Sequence, residues 1–122
     1  MANDFKRFTK KDVAANTGAS ADAVYTVPAG TGSTALESLV IGITLANKHT
    51  SGITASVFLD NEDGTNDVYI VKDATIPAGS SLEVMSGNKL VVQNDGSNAD
   101  VLRVESSRAS SLDATITVLE DV

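Results

Sequence analysis

The sequence predicts an all-β domain, a β-sandwich of about eight antiparallel strands with a jelly-roll or Greek-key plan and an extended N-terminal arm. Three observations predict it. Apolar residues recur at a period of two along most of the chain. Valine, isoleucine and threonine dominate those runs, and branched side chains suit a pleated surface better than a helix. Polar turn clusters separate the runs, as an all-β sandwich or barrel requires. With 122 residues the chain fits one domain, and a domain near that size buries roughly two-thirds of its unfolded surface. We divide it into an arm, residues 1–20, and a sandwich, residues 21–122.

Taken in order, Leu39, Ile41, Ile43 and Leu45 alternate, as do Ile53, Ala55, Val57 and Leu59. Val68 with Ile70, Leu82 with Val84, and Leu90 with Val92 continue the pattern. Leu102 with Val104, then Leu112, Ala114, Ile116 and Val118, complete it. The separators are residues 47–52, 61–64, 86–88 and 94–98, rich in Asn, Asp, Gly and Ser. Two contain Asp-Gly, a strong hairpin signal. Thr26-Val27-Pro28-Ala29-Gly30-Thr31 is echoed by Thr75-Ile76-Pro77-Ala78-Gly79-Ser80, and each copy leads to an apolar run and an Asn-led turn at Asn47 or Asn94. Proline lacks an N–H, so each copy is expected to end a strand and begin a crossover between sheets. Either the chain has two similar halves, or Pro-Ala-Gly is a turn used twice.

Charge is unevenly spread. Residues 1–12 hold Lys6, Arg7, Lys10 and Lys11 against Asp4 and Asp12, a balance of +2 within a net charge of −7. The other 110 residues therefore carry 14 acidic and 5 basic side chains, or −9. An acidic body repels phosphate, so no nucleic-acid partner is expected for it. The opening residues lack the apolar stretch of a secretory signal. The longest apolar run, residues 39–46, is too short to cross a bilayer, so no membrane partner is expected.

No catalytic constellation and no cofactor are expected. His49 is the only histidine and lies in a turn, whereas nucleophilic catalysis needs a positioned base beside the nucleophile. Residues 60–67 cluster oxygen ligands of the kind calcium takes, but depart from the EF-hand pattern at Thr65 and Val71. Asp and Asn also make ordinary turns, and no metal site is assigned. A carbohydrate-binding module is the alternative binding reading. The chain has no tryptophan, and Tyr25 and Tyr69 sit in predicted strands.

The arm is the candidate site. Phe5, Lys6, Arg7, Phe8, Lys10 and Lys11 combine aromatic anchors with cations that an acidic neighbour would attract. Such a segment either docks on another chain or covers an exposed edge of its own sandwich.

Four stretches carry a family resemblance: Val24-Tyr25-Thr26-Val27-Pro28-Ala29-Gly30-Thr31, Ile41-Gly42-Ile43-Thr44-Leu45-Ala46-Asn47, residues 71–82 and residues 110–120. Together they resemble small virion structural proteins of tailed phages, over residues 21–120. That resemblance implies a non-enzymatic capsid decoration or cement protein on the outer capsid surface of the virion. It implies other virion proteins as partners, either the major capsid protein or neck and tail components, and a homo-oligomer, with a trimer favoured. It carries no catalytic or ligand residues. A neck or tail location is the alternative within the same class.

Overall fold

The computed structural model describes residues 3–85 and 87–121, and among them nine strands form two antiparallel sheets. Strands β1 (Asn3–Lys10), β3 (Leu36–Asn47), β6 (Ser81–Glu83), β7 (Leu90–Asn94) and β9 (Leu112–Asp121) make the A sheet. Strands β2 (Asp22–Thr26), β4 (Ile53–Asp60), β5 (Val68–Ile76) and β8 (Val101–Ser106) make the B sheet. Met1, Ala2 and Val122 at the termini, and Ser86 of the expected 86–88 turn, lie outside the described residues.

The A sheet runs β1-β9-β3-β6, with β7 also on β3, and the B sheet runs β2-β8-β4-β5. Strands β6 and β7 pair with successive stretches of β3, at residues 44–46 and 36–40, so they act as one interrupted strand. Counted that way, eight strand positions are ordered 1-8-3-6 and 2-7-4-5, the double Greek-key winding of a jelly roll.

The core lies between the sheets. Leu112, Ala114, Ile116 and Val118 of β9 point inward and are buried, as do Ile53, Ala55, Val57 and Leu59 of β4 and Leu102 and Val104 of β8. Burying each large side chain contributes about 1.5–3 kcal/mol. Strand β3 departs from the simple alternation. A bulge between Val40 and Gly42 shifts its phase against β9, so Leu36, Val40, Ile43 and Leu45 face inward while Leu39 and Ile41 turn out. The expectation that Leu39, Ile41, Ile43 and Leu45 share one face is therefore corrected by one extra residue.

The repeated Pro-Ala-Gly segments do what their proline predicts. Each ends a B-sheet strand, β2 or β5, and leads the chain across to the A sheet. Their apolar residues Val27 and Ile76 are both buried. A reciprocal pair of bonds joins the halves. The side chain of Asn47 donates to the Ile76 carbonyl (2.9 Å), and that of Asn94 donates to the Val27 carbonyl (2.9 Å). Each asparagine also accepts the N–H two residues on, from His49 and Gly96 respectively. Both asparagines are buried, so neither amide has water as an alternative partner.

The arm, residues 1–20, contains a strand that covers an edge of its own sandwich. Residues 3–10 are β1, the edge strand of the A sheet, paired antiparallel with β9 over eight positions. Beyond it, Val13 is buried in the core, and the chain runs through a short 3-10 turn, Gly18–Ser20, to β2. The physical reason is the exposed rim of β9, which would otherwise leave a row of unpaired backbone groups.

Replacing either crossover asparagine leaves a buried carbonyl without its donor. Asn47→Ala and Asn94→Ala are each expected to cost about 1–3 kcal/mol in urea unfolding. The m-value should be unchanged. Sitting at opposite ends of the sandwich, the two losses should add.

Candidate interaction surface

Strand β1 sorts its residues by alternation. Phe5 and Phe8 are three apart, and that odd spacing puts them on opposite faces. Phe8 faces in, its ring centroid 4.6 Å from that of buried Tyr25. Lys6 also reaches inward, its ammonium 2.9 Å from Oε1 of Glu120, a carboxylate only 1% exposed. That approach is off the hydrogen-bonding direction, so charge holds the pair. The Tyr25 hydroxyl donates to the other oxygen of Glu120 (2.7 Å) and shares a hydrogen bond with Ser38 (2.8 Å). Burial foremost pushes the Tyr25 phenol well above its ordinary range. The adjacent Glu120 carboxylate raises the Lys6 ammonium.

The six arm residues thus separate. Lys6 and Phe8 are engaged by their own domain. Phe5 is 75% exposed. Arg7, Lys10 and Lys11 are exposed, and Arg7 and Lys10 make no ion pair among the described residues. Lys11 lies near Asp113, whose carboxyl also accepts the Asp12 N–H and an ion pair from Lys48.

The register carries Phe5 into a larger feature. Phe5 pairs with Leu119, Leu119 with Leu39, and Leu39 with Val91, so four apolar side chains form one row across β1, β9, β3 and β7. All four point away from the core. Val91 is 61% exposed, and Leu39 and Leu119 are half-buried. Beside the row lie Ile41 and Thr117, then Thr9, Thr115 and Thr44 in a second register-aligned row. Three charged side chains border the apolar row: Arg7 on one flank, Glu37 on the other, and Glu83, which ends the threonine row and accepts the Thr44 hydroxyl (3.0 Å). Depletion of charge with exposed aromatic and aliphatic side chains is the compositional mark of an interface centre. Leu39, Leu119 and Val91 were missed in the sequence because they alternate with core residues. The one available signal was Gly42 inside a strand, which marks a bulge.

The outer face of the B sheet is partly covered by its own chain. Arg103 donates from Nε to Asp60 (3.0 Å) and from Nη1 to the Ala21 carbonyl (2.9 Å). Glu105 accepts from the Gly18 N–H (2.7 Å) and the Tyr69 hydroxyl (3.0 Å). The Tyr69 ring meets Phe58 edge-on at 5.1 Å and carries the Lys72 ammonium at 4.7 Å. Neither tyrosine is therefore an open stacking platform.

The two ends of the sandwich differ in charge. At one end the connections 27–35, 61–67 and 95–100 hold Glu62, Asp63, Asp67, Asp95 and Asp100 with no Lys or Arg. At the other, residues 11–21, 48–52, 77–80 and 107–111 hold Lys11, Lys48 and Arg108 against Asp12. Within the acidic loop, Asp67 accepts the Asn61 N–H, and Asp63 accepts the N–H groups of Thr65 and Asn66. The Asn66 amide and those N–H groups hold the Asp63 carboxyl down at about 2. No group of three or more His, Asp or Glu side chains among the described residues is placed to hold a metal ion. His49 sits in its turn, where Nδ1 accepts the Ser51 N–H.

Two outcomes follow from these groups. Tyr25→Phe removes both hydrogen bonds to a buried carboxylate and hydroxyl, and should cost about 1–3 kcal/mol in urea unfolding. Glu62 is raised by burial and then by the neighbouring Asp95, so its charged form is disfavoured in the folded state. That penalty is absent below 4.5 and grows as pH rises through the folded value. Glu62→Gln should therefore raise Tm at pH 7 and leave it unchanged near pH 3, measured by thermal melting.

No protein-family model matches the chain, and no curated protein sequence matches it significantly.

Proposed function

We propose that the chain is a non-enzymatic structural protein of a phage virion, one that decorates or cements the capsid through contacts between subunits. The observation that carries this reading is Phe5, 75% exposed on an edge strand, at the end of an apolar row and beside the cation Arg7, which makes no ion pair among the described residues. Exposed aromatics with an adjacent cation are favoured anchors of protein interfaces. A cationic edge on a body of opposite sign also guides docking onto acidic neighbours. The jelly-roll winding and the likeness of residues 21–120 to small virion proteins support the same reading.

In mechanism, such a protein adds contact area between shell subunits, so load on one joint is shared with its neighbours. The interaction needs no reaction and no cofactor. Lys6 and Phe8 act indirectly, because they hold β1 in the register that turns Phe5 and Arg7 outward.

Deleting residues 1–12 is a poor test, since it strips an edge strand and uncovers Tyr25 and Glu120. Point changes at exposed positions leave the fold intact. Phe5→Ser and Arg7→Glu should each weaken co-sedimentation with shells purified without this protein. Loss of an aromatic anchor worth about 2 kcal/mol corresponds to roughly 30-fold in affinity. Undiminished binding by both variants would remove this surface from the mechanism.

A further inference from the structure

We infer that the apolar-rich outer face of the A sheet is the seat of a second copy of this chain, packed face to face and antiparallel about a two-fold axis along the Phe5–Leu119–Leu39–Val91 row. The inference extends the structural-protein reading by naming an occupant for that face.

Asymmetry between the two sheets is the starting point. The B sheet has Arg103, Glu105 and Tyr69 on its outer face, each bonded within the chain and partly covered by residues 18–21. The A sheet carries four aligned apolar side chains and a threonine row on the same kind of surface, with Phe5 and Val91 mostly in water. Four strands at ~4.8 Å spacing and the ~34 Å length of β9 give roughly 650 Å² per copy. Two copies would bury about 1,300 Å², inside the range of stable specific interfaces.

Charge selects the arrangement. Arg7 lies one outward row to one side of the apolar row, and Glu37 lies one outward row to the other. Neither makes an ion pair among the described residues. A two-fold axis parallel to the strands would set Arg7's row against itself and Glu37's row against itself. An axis along the apolar row sets Arg7's row against Glu37's row of the partner, twice by symmetry. It also turns the acidic connections 61–67 and 95–100 of each copy toward the half of the partner that holds Lys10 and Lys11. A two-fold contact needs a self-complementary patch; the apolar row meets itself about either axis, and the Arg7 and Glu37 rows oppose each other only about the axis along the row.

The test is sedimentation equilibrium of the full chain, with far-UV circular dichroism as a check on folding. Wild type should be a monomer–dimer system. Val91→Asp, at an exposed position far from β1, should raise the dimer dissociation constant at least tenfold. Thr117→Arg, in the middle of the face, serves as a second disruption should Val91→Asp fold poorly. Arg7→Glu and Glu37→Arg should each weaken the dimer, and the two reversals combined should restore it. A wild type that stays monomeric to about 1 mM, one that forms trimers, or one whose dimer is untouched by Val91→Asp and Thr117→Arg overturns the inference. So does a double reversal that restores nothing. Shell co-sedimentation separates the two readings. Monomers that still bind shells remove only the pairing, and dimers that bind no shell remove only the virion role.

Discussion

The register between β1 and β9 is the constraint on which the rest depends. A side chain in a strand faces one side or the other, so a slip of one residue would exchange Lys6 and Phe8 for Phe5 and Arg7. Two contacts prevent it. Lys6 neutralises Glu120, a carboxylate the sandwich has taken out of water, and Phe8 closes over Tyr25. A buried carboxylate left without a cation is far more costly than an unpaired surface lysine, so the pairing holds β1 in place. The same register places Phe5 level with Leu119, Leu39 and Val91. Internal electrostatics and external surface are thus set by one alignment.

The sandwich around that strand is closed at both ends by a matched device. Asn47 and Asn94 end A-sheet strands and each binds the carbonyl of a B-sheet crossover in the other half. The two sheets are therefore tied by hydrogen bonds as well as by the core. They differ in how they meet solvent. One is dressed with its own arginine, glutamate and tyrosine, and the other carries the apolar row. In a small acidic domain an exposed apolar row has a cost in solubility unless something covers it. We read the covered state as the working one.

Much of the fold was legible in the sequence, and the reasons are particular. Leu112, Ala114, Ile116 and Val118 alternate without interruption because β9 is central in its sheet and unbulged against β1. The twin Pro-Ala-Gly segments identified two of the crossings between sheets, since proline cannot continue a ladder. Strand β1 was hidden. Its two phenylalanines are three apart and its inward positions hold a lysine, so no period of two is visible. Only the pairing partner, Glu120 on the far end of the chain, explains that lysine. The apolar row was equally hidden, because a bulge in β3 and the register of four separate strands bring its members together. Residues 60–67 showed their acids plainly, but only the structure shows Asp63 and Asp67 bonding their own loop.

Hydroxyl-radical footprinting of the dilute chain against the assembled protein tests the central claim most directly, because it reports side by side which faces lose water. Phe5, Leu39, Leu119 and Val91 should become protected on assembly, while Val68 and Tyr69 of the B sheet keep their labelling. Protection of Val68 and Tyr69 with the A-sheet row still fully labelled would contradict the account.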